Sequence, residues 1–159
     1  MGEAFQRHLL VDGSNVMHAW PELRALLGRD RDAARLKLSQ AVSVLHDVEQ
    51  IRVSIVFDGR GREISVEQPS SHPTFAHIFT PSGTTADDVI ENLVGGAREP
   101  RDCLVATDDR AERQVVESLG ASGMSAGDLA AWIGRAGTRQ ASRLTDRRRT
   151  NDRSWRGGP

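Results

Sequence analysis

Four short stretches of the chain run from apolar residues straight into aspartate. They are LLVDGSN at 9–15, IVFDG at 55–59, TTADDV at 84–89 and LVATDD at 104–109. Amphipathic stretches with helical spacing lie between them. Strands that alternate with helices predict an α/β fold with a mainly parallel sheet. In such a sheet the carboxyl ends of the strands share one edge, and ligands bind in the crevice there. Aspartates scattered along the chain then converge at one place. Clustered carboxylates repel one another without a cation. A hard divalent ion such as Mg²⁺ or Mn²⁺ offsets that repulsion through oxygen ligands, and sites of this kind carry out phosphoryl chemistry.

The elements read as follows. Residues 8–11 form a first strand ending at Asp12. Residues 31–49 form a helix with Leu38, Ala41, Val42, Leu45 and Val48 on one face. Ile51, Val53, Ile55 and Phe57 alternate, which predicts a strand over 51–57. Shorter strands are expected at 64–67 and 75–79, on either side of a polar loop. Thr84 or Thr85 caps the next helix, with Asp87 or Asp88 three residues later and an apolar face of Val89, Ile90, Leu93, Val94 and Ala97. A strand at 102–106, a helix over 110–119, a short strand at 121–124 and a last helix over 128–135 complete the pattern. From Gly137 onward no apolar periodicity remains, so disorder is expected there. The division is therefore one domain over 1–136 and an Arg-rich tail over 137–159.

Charge is unevenly spread. The formal net charge is −1, yet residues 135–159 carry eight Arg against Asp146 and Asp152, and residues 1–134 carry 13 basic and 20 acidic groups. An acidic body suits a metal site, and a basic tail suits a polyanion, through counterion release from phosphates. A charged tail is also what a merely solvated end looks like. Four Phe, three Trp and no Tyr leave little for an RNA surface built mainly on stacking. The lone Cys103 excludes a disulfide scaffold within one chain and reads as a buried small hydrophobe. Residues 1–7 offer no apolar run fit for a signal peptide, and no stretch reaches membrane-spanning length, so a cytoplasmic location is expected.

The motifs LLVDGSNV, IVFDGRG, FTPSGTTADDVIENLV and CLVATDDRAER, in this order and spacing, resemble the bacterial YacP-like branch of the NYN domains, relatives of PIN-domain nucleases. The resemblance covers about residues 8–134. It implies a PIN-like three-layer α/β/α fold and a metal-dependent ribonuclease site. It also makes mRNA on the ribosome a candidate substrate, so RNA and the ribosome are the expected partners. Asp12 and Asn15 match the first motif, Asp87 and Asp88 the TADD pair, and Asp109 the late aspartate. Two positions depart from the family pattern. Ser14 stands where an aromatic is usual, and Asp108 where a serine is usual.

Asp12, Asp87, Asp88 and Asp109 are accordingly the candidate catalytic residues, and with Asp108 the candidate ligands of Mg²⁺ or Mn²⁺. Adjacent residues on a helix point about 100° apart, so one of Asp87 and Asp88 faces the site while its neighbour caps or supports it. Acidic residues in a first helical turn also simply complement the helix dipole. Asp108 either assists the cluster or caps the following helix, with Glu112 nearby. Asn15 holds a phosphate, a water or the Asp12 side chain, or only shapes a turn. Asp58 is a rim ligand or a turn former. Asn15, Asp58, Arg60 and Arg110 are the candidate substrate contacts, with Arg62 near them, and Arg147, Arg148 and Arg149 are the candidate RNA contacts of the tail. The reading is a divalent-metal-dependent endoribonuclease. Its rival is a non-catalytic RNA- or ribosome-binding module with a vestigial acidic site. A nucleotide-binding P-loop is absent, and a phosphotransfer receiver lacks the lysine expected after its late strand, since Lys37 is the only lysine. Oligomeric state is left open.

Overall fold

A computed structural model of the chain describes residues 4–156, with side chains to residue 149. Its first half contains β1 (His8–Asp12), α1 (Gly13–Ala19), α2 (Pro21–Leu27), α3 (Arg31–Glu49), β2 (Arg52–Phe57), β3 (Ser65–Glu67) and β4 (Phe75–Phe79). Its second half contains α4 (Ala86–Gly95), β5 (Cys103–Ala106), α5 (Arg110–Ser118), β6 (Ser122–Met124) and α6 (Ala126–Arg156). The six strands form one sheet in the order β3-β4-β2-β1-β5-β6. Every pairing is parallel except that of β3 with β4.

The alternation of side chains along a strand sets the layers. Leu9 and Val11 of β1, with Val53, Ile55 and Phe57 of β2, enter one core with Leu38, Val42 and Leu45 of α3 and Leu129 of α6. Leu10, Val56 and Val105 face the other way, into a second core with Val89, Ile90 and Val94 of α4 and Val116 of α5. Helices thus cover both faces, as the three-layer α/β/α expectation requires. Cys103 is buried in the second core.

Two features differ from the sequence reading. The segment 13–27, to which the sequence reading assigns no element, forms two short helices, α1 and α2. The last helix runs to Arg156 rather than ending at 135, so the disorder expected from Gly137 is corrected to helix over 137–156, and residues 157–159 lie outside the described residues. Ala136 is fully buried in the first core, and Arg139 bonds to Glu49 at the end of α3. Packing and ion pairing hold a segment that lacks apolar periodicity. No helix among the described residues is long and apolar enough to cross a membrane.

Candidate metal centre

Asp12 ends β1 and is the N-cap of α1, its carboxylate accepting from the Asn15 N–H at 3.4 Å. Gly13 follows by necessity. A Cβ there would lie 2.6 Å from the Phe57 ring and 2.8 Å from the Val56 carbonyl oxygen, so only glycine lets α1 start against β2. Asp87 and Asp88 open α4. Thr85 is the N-cap, its hydroxyl accepting from the Asp88 N–H, while the Asp88 carboxylate accepts from the Thr85 N–H. Asp88 is therefore spent on a capping box and is exposed, whereas Asp87, one position back, turns inward.

The third carboxylate is Glu112, in the first turn of α5 and 2% exposed. Asp12, Asp87 and Glu112 each offer an oxygen, and the three atoms lie within 4.8 Å of one another. Neither Glu112 oxygen has a hydrogen-bond partner. Each of the three sits at the N-terminal end of a helix, where the dipole favours negative charge. That is not enough to keep the group fully ionised. Burial, and then the nearby Asp12 and Asp87, push the Glu112 carboxyl far up from its ordinary value. Burial likewise raises Asp12, against the Asn15 N–H that favours its ionised form. A buried acid with both oxygens orphaned, beside two further carboxylates, is a donor set that suits a hard divalent cation.

Among the remaining candidates, Asp109, Asp108 and Asn15 flank this cluster. Asp109 is the N-cap of α5, one oxygen accepting from the Ala111 and Glu112 N–H groups, so it fixes the turn that carries Glu112. Asp108 accepts from the Ala126 N–H at the start of α6, and its own N–H donates to the Asn15 side-chain oxygen at 2.8 Å. Asn15 thus ties the β1–α1 corner to the β5–α5 corner. Asp58 accepts from the Ser14 hydroxyl at 3.0 Å, so the serine that replaces the usual aromatic locks this side chain in place. Asp58 and Arg60 line a neighbouring cleft. Arg110 is exposed at the first position of α5, and Arg147, Arg148 and Arg149 are exposed along α6. The structure therefore gathers Asp12 and Asp87, adds Glu112, and engages Asp88, Asp108 and Asp109 in the caps around them.

Fold and site together define an α/β protein of PIN-like nuclease architecture, with a buried acidic cluster at the carboxyl edge of its sheet. The YacP-like NYN domain model matches residues 9–156, and the chain belongs to that family. It is 33% identical over 122 residues to the uncharacterized protein YacP of Bacillus subtilis (strain 168), covering 76% of this chain and 71% of that one. The crystal structure of Rae1 (YacP) from Bacillus subtilis is similar with a TM-score of 0.70 and 30% identity, over 92% of this chain and 83% of that chain. A tryptophan-to-leucine mutant of the same protein gives 0.71 and 29%, over 89% and 83%.

Proposed function

We propose that this protein is a divalent-metal-dependent endoribonuclease, with mRNA on the ribosome as its substrate and the cytoplasm as its place of action. The observation that carries the reading is the buried Glu112, unpartnered at both oxygens and within 4.8 Å of Asp12 and Asp87. Family membership supports a nuclease-like site. Asp12, Asp87 and Glu112 would hold Mg²⁺ or Mn²⁺. Such an ion, when bound, supplies a water of lowered pKa and offsets charge on a phosphate oxygen. The chain's own residues do the rest. Asp109 and Asp88 fix the helix turns that present Glu112 and Asp87. Asn15 holds the two loops of the site at one spacing through Asp108. Arg110 and the arginines of α6 draw the RNA backbone to an otherwise acidic domain.

The test compares wild type with Asp12→Asn and Glu112→Gln, which keep shape and remove charge. RNA ends are mapped in a translation extract, and Mn²⁺ binding to the purified proteins is followed by calorimetry. Wild type should cleave and bind the ion, and both variants should lose both properties. Undiminished cleavage by Asp12→Asn would rule out catalysis at this cluster, and absence of cleavage by wild type would leave the binding module as the reading.

A further inference from the structure

A cleft of about 320 Å³ lies between the start of α3 and the β3–β4 pair, on the α3 face of the sheet, whereas the acidic cluster lies on the face covered by α4 and α5. Arg31, Arg35 and Arg60 line it, together with Asp58, Glu67 and Phe79. Arg35 is fixed. Its guanidinium donates to the Asp58 carbonyl oxygen at 3.1 Å, and its central carbon lies 5.4 Å from the ring centroids of both Phe57 and Phe79. Arg31 and Arg60 are exposed and free to turn toward a ligand. Of the two carboxylates, Asp58 already accepts the Ser14 hydroxyl. Arg35 also pairs with Asp32 at 3.7 Å, so Arg31 and Arg60 are the guanidiniums left to meet a ligand. The Ser14–Asp58 bond also joins the cleft to the corner that carries Asp12, two residues before Ser14.

We infer that this cleft binds a phosphodiester of the RNA strand away from the one at the acidic cluster, across the carboxyl edge of the sheet. Arg31 and Arg60 contact the phosphate, while Arg35, held over the Phe57 and Phe79 rings, forms the fixed wall of the cleft. The inference rests on the nuclease reading and adds where the strand runs. A groove with two exposed guanidiniums suits a single strand, whose flexible backbone can follow the charge. The volume is that of a small-ligand site, so it admits a nucleotide unit rather than a duplex.

The test measures binding of a single-stranded RNA pentanucleotide to the full-length protein in chelator, across a salt series. One variant carries Arg31→Gln and Arg60→Gln. The control carries Arg52→Gln and Arg98→Gln, two exposed arginines at the opposite, amino edge of the sheet. Both variants lose the same charge. The cleft pair should lower affinity about tenfold, and the slope of log affinity against log salt should fall by about 0.7 per contact removed. The control should match wild type. Equal losses in both variants, or no loss in the cleft pair, would overturn the inference. Failure of wild type to cleave RNA or to bind Mn²⁺ would instead overturn the nuclease reading beneath it.

Discussion

Glu112 sets the acid–base behaviour of the whole site. Its carboxyl, like that of Asp12, is raised by burial. A raised carboxyl pKa means the folded state holds a proton that the unfolded state has released. Stability of the metal-free protein therefore falls as pH rises past the ordinary carboxylate range, and continues to fall until the folded groups ionise. Metal-free wild type should show a melting temperature that declines from pH 5 to pH 8, and Glu112→Gln should flatten that decline. Mn²⁺ should raise the melting temperature of wild type most at the upper end, because the ion competes with protons for the same oxygens. Identical pH profiles for wild type and Glu112→Gln would contradict this account. Gly13→Ala is a second residue-scale case. The 2.6 Å approach to the Phe57 ring leaves no room for a methyl group, so chemical denaturation should show a loss of about 1–3 kcal/mol. Asp12 and Asp87 were legible in the sequence because strand ends and helix starts are local patterns. Glu112 was not, since an acid in a first turn looks like a dipole complement. A faint signal existed: Glu112 lies four residues before Val116, on the face that α5 buries.

Most elements were legible for the same reason. The apolar spacing of α3 gave its 31–49 span, and the Thr85 cap appeared where the TADD pattern put it. The helix α6 was half missed because what holds its second half is not apolar. Glu49 is the hinge of that contact. It accepts from the Trp132 indole N–H at 3.3 Å and from the Arg139 guanidinium, and it lies 4.0 Å from Arg7. With its side chain only 17% exposed, this carboxylate ties α6 to the end of α3 and to the lead into β1. Nothing in the spacing of one helix announces a partner 90 residues away. Glu49→Gln keeps an acceptor for Trp132 but removes the charge. It should cost about 1–2 kcal/mol and speed hydrogen exchange in α6 beyond Arg135, leaving α4 and α5 unchanged. Unaltered exchange in α6 would mean that Ala136 and its apolar neighbours suffice to hold the helix.

At the scale of the whole molecule, α6 carries the arginines from Arg135 to Arg149 away from the acidic edge. The helix α6 starts at the acidic edge, where Asp108 holds the Ala126 N–H, and then runs past the end of α3, where Asp47 and Val48 line one cleft with Arg143 and Arg147. At about 1.5 Å per residue, Arg147, Arg148 and Arg149 lie roughly 30 Å along the helix from that start. A short oligonucleotide seated at the carboxylates does not reach them. A long RNA or a ribosome does, and its phosphates would meet positive charge where the body itself repels them. The triple variant Arg147→Gln, Arg148→Gln, Arg149→Gln should therefore bind the pentanucleotide as wild type does. Its affinity for long RNA or ribosomes should drop, with a shallower salt dependence. The fold should be intact, because these three side chains are exposed. Affinities for both ligands across a salt series decide the matter. If ribosome and long-RNA binding match wild type in level and slope, the arginines only keep the helix solvated. If the pentanucleotide weakens as well, the tail acts through the field of the whole molecule rather than by contact at a distance from the site.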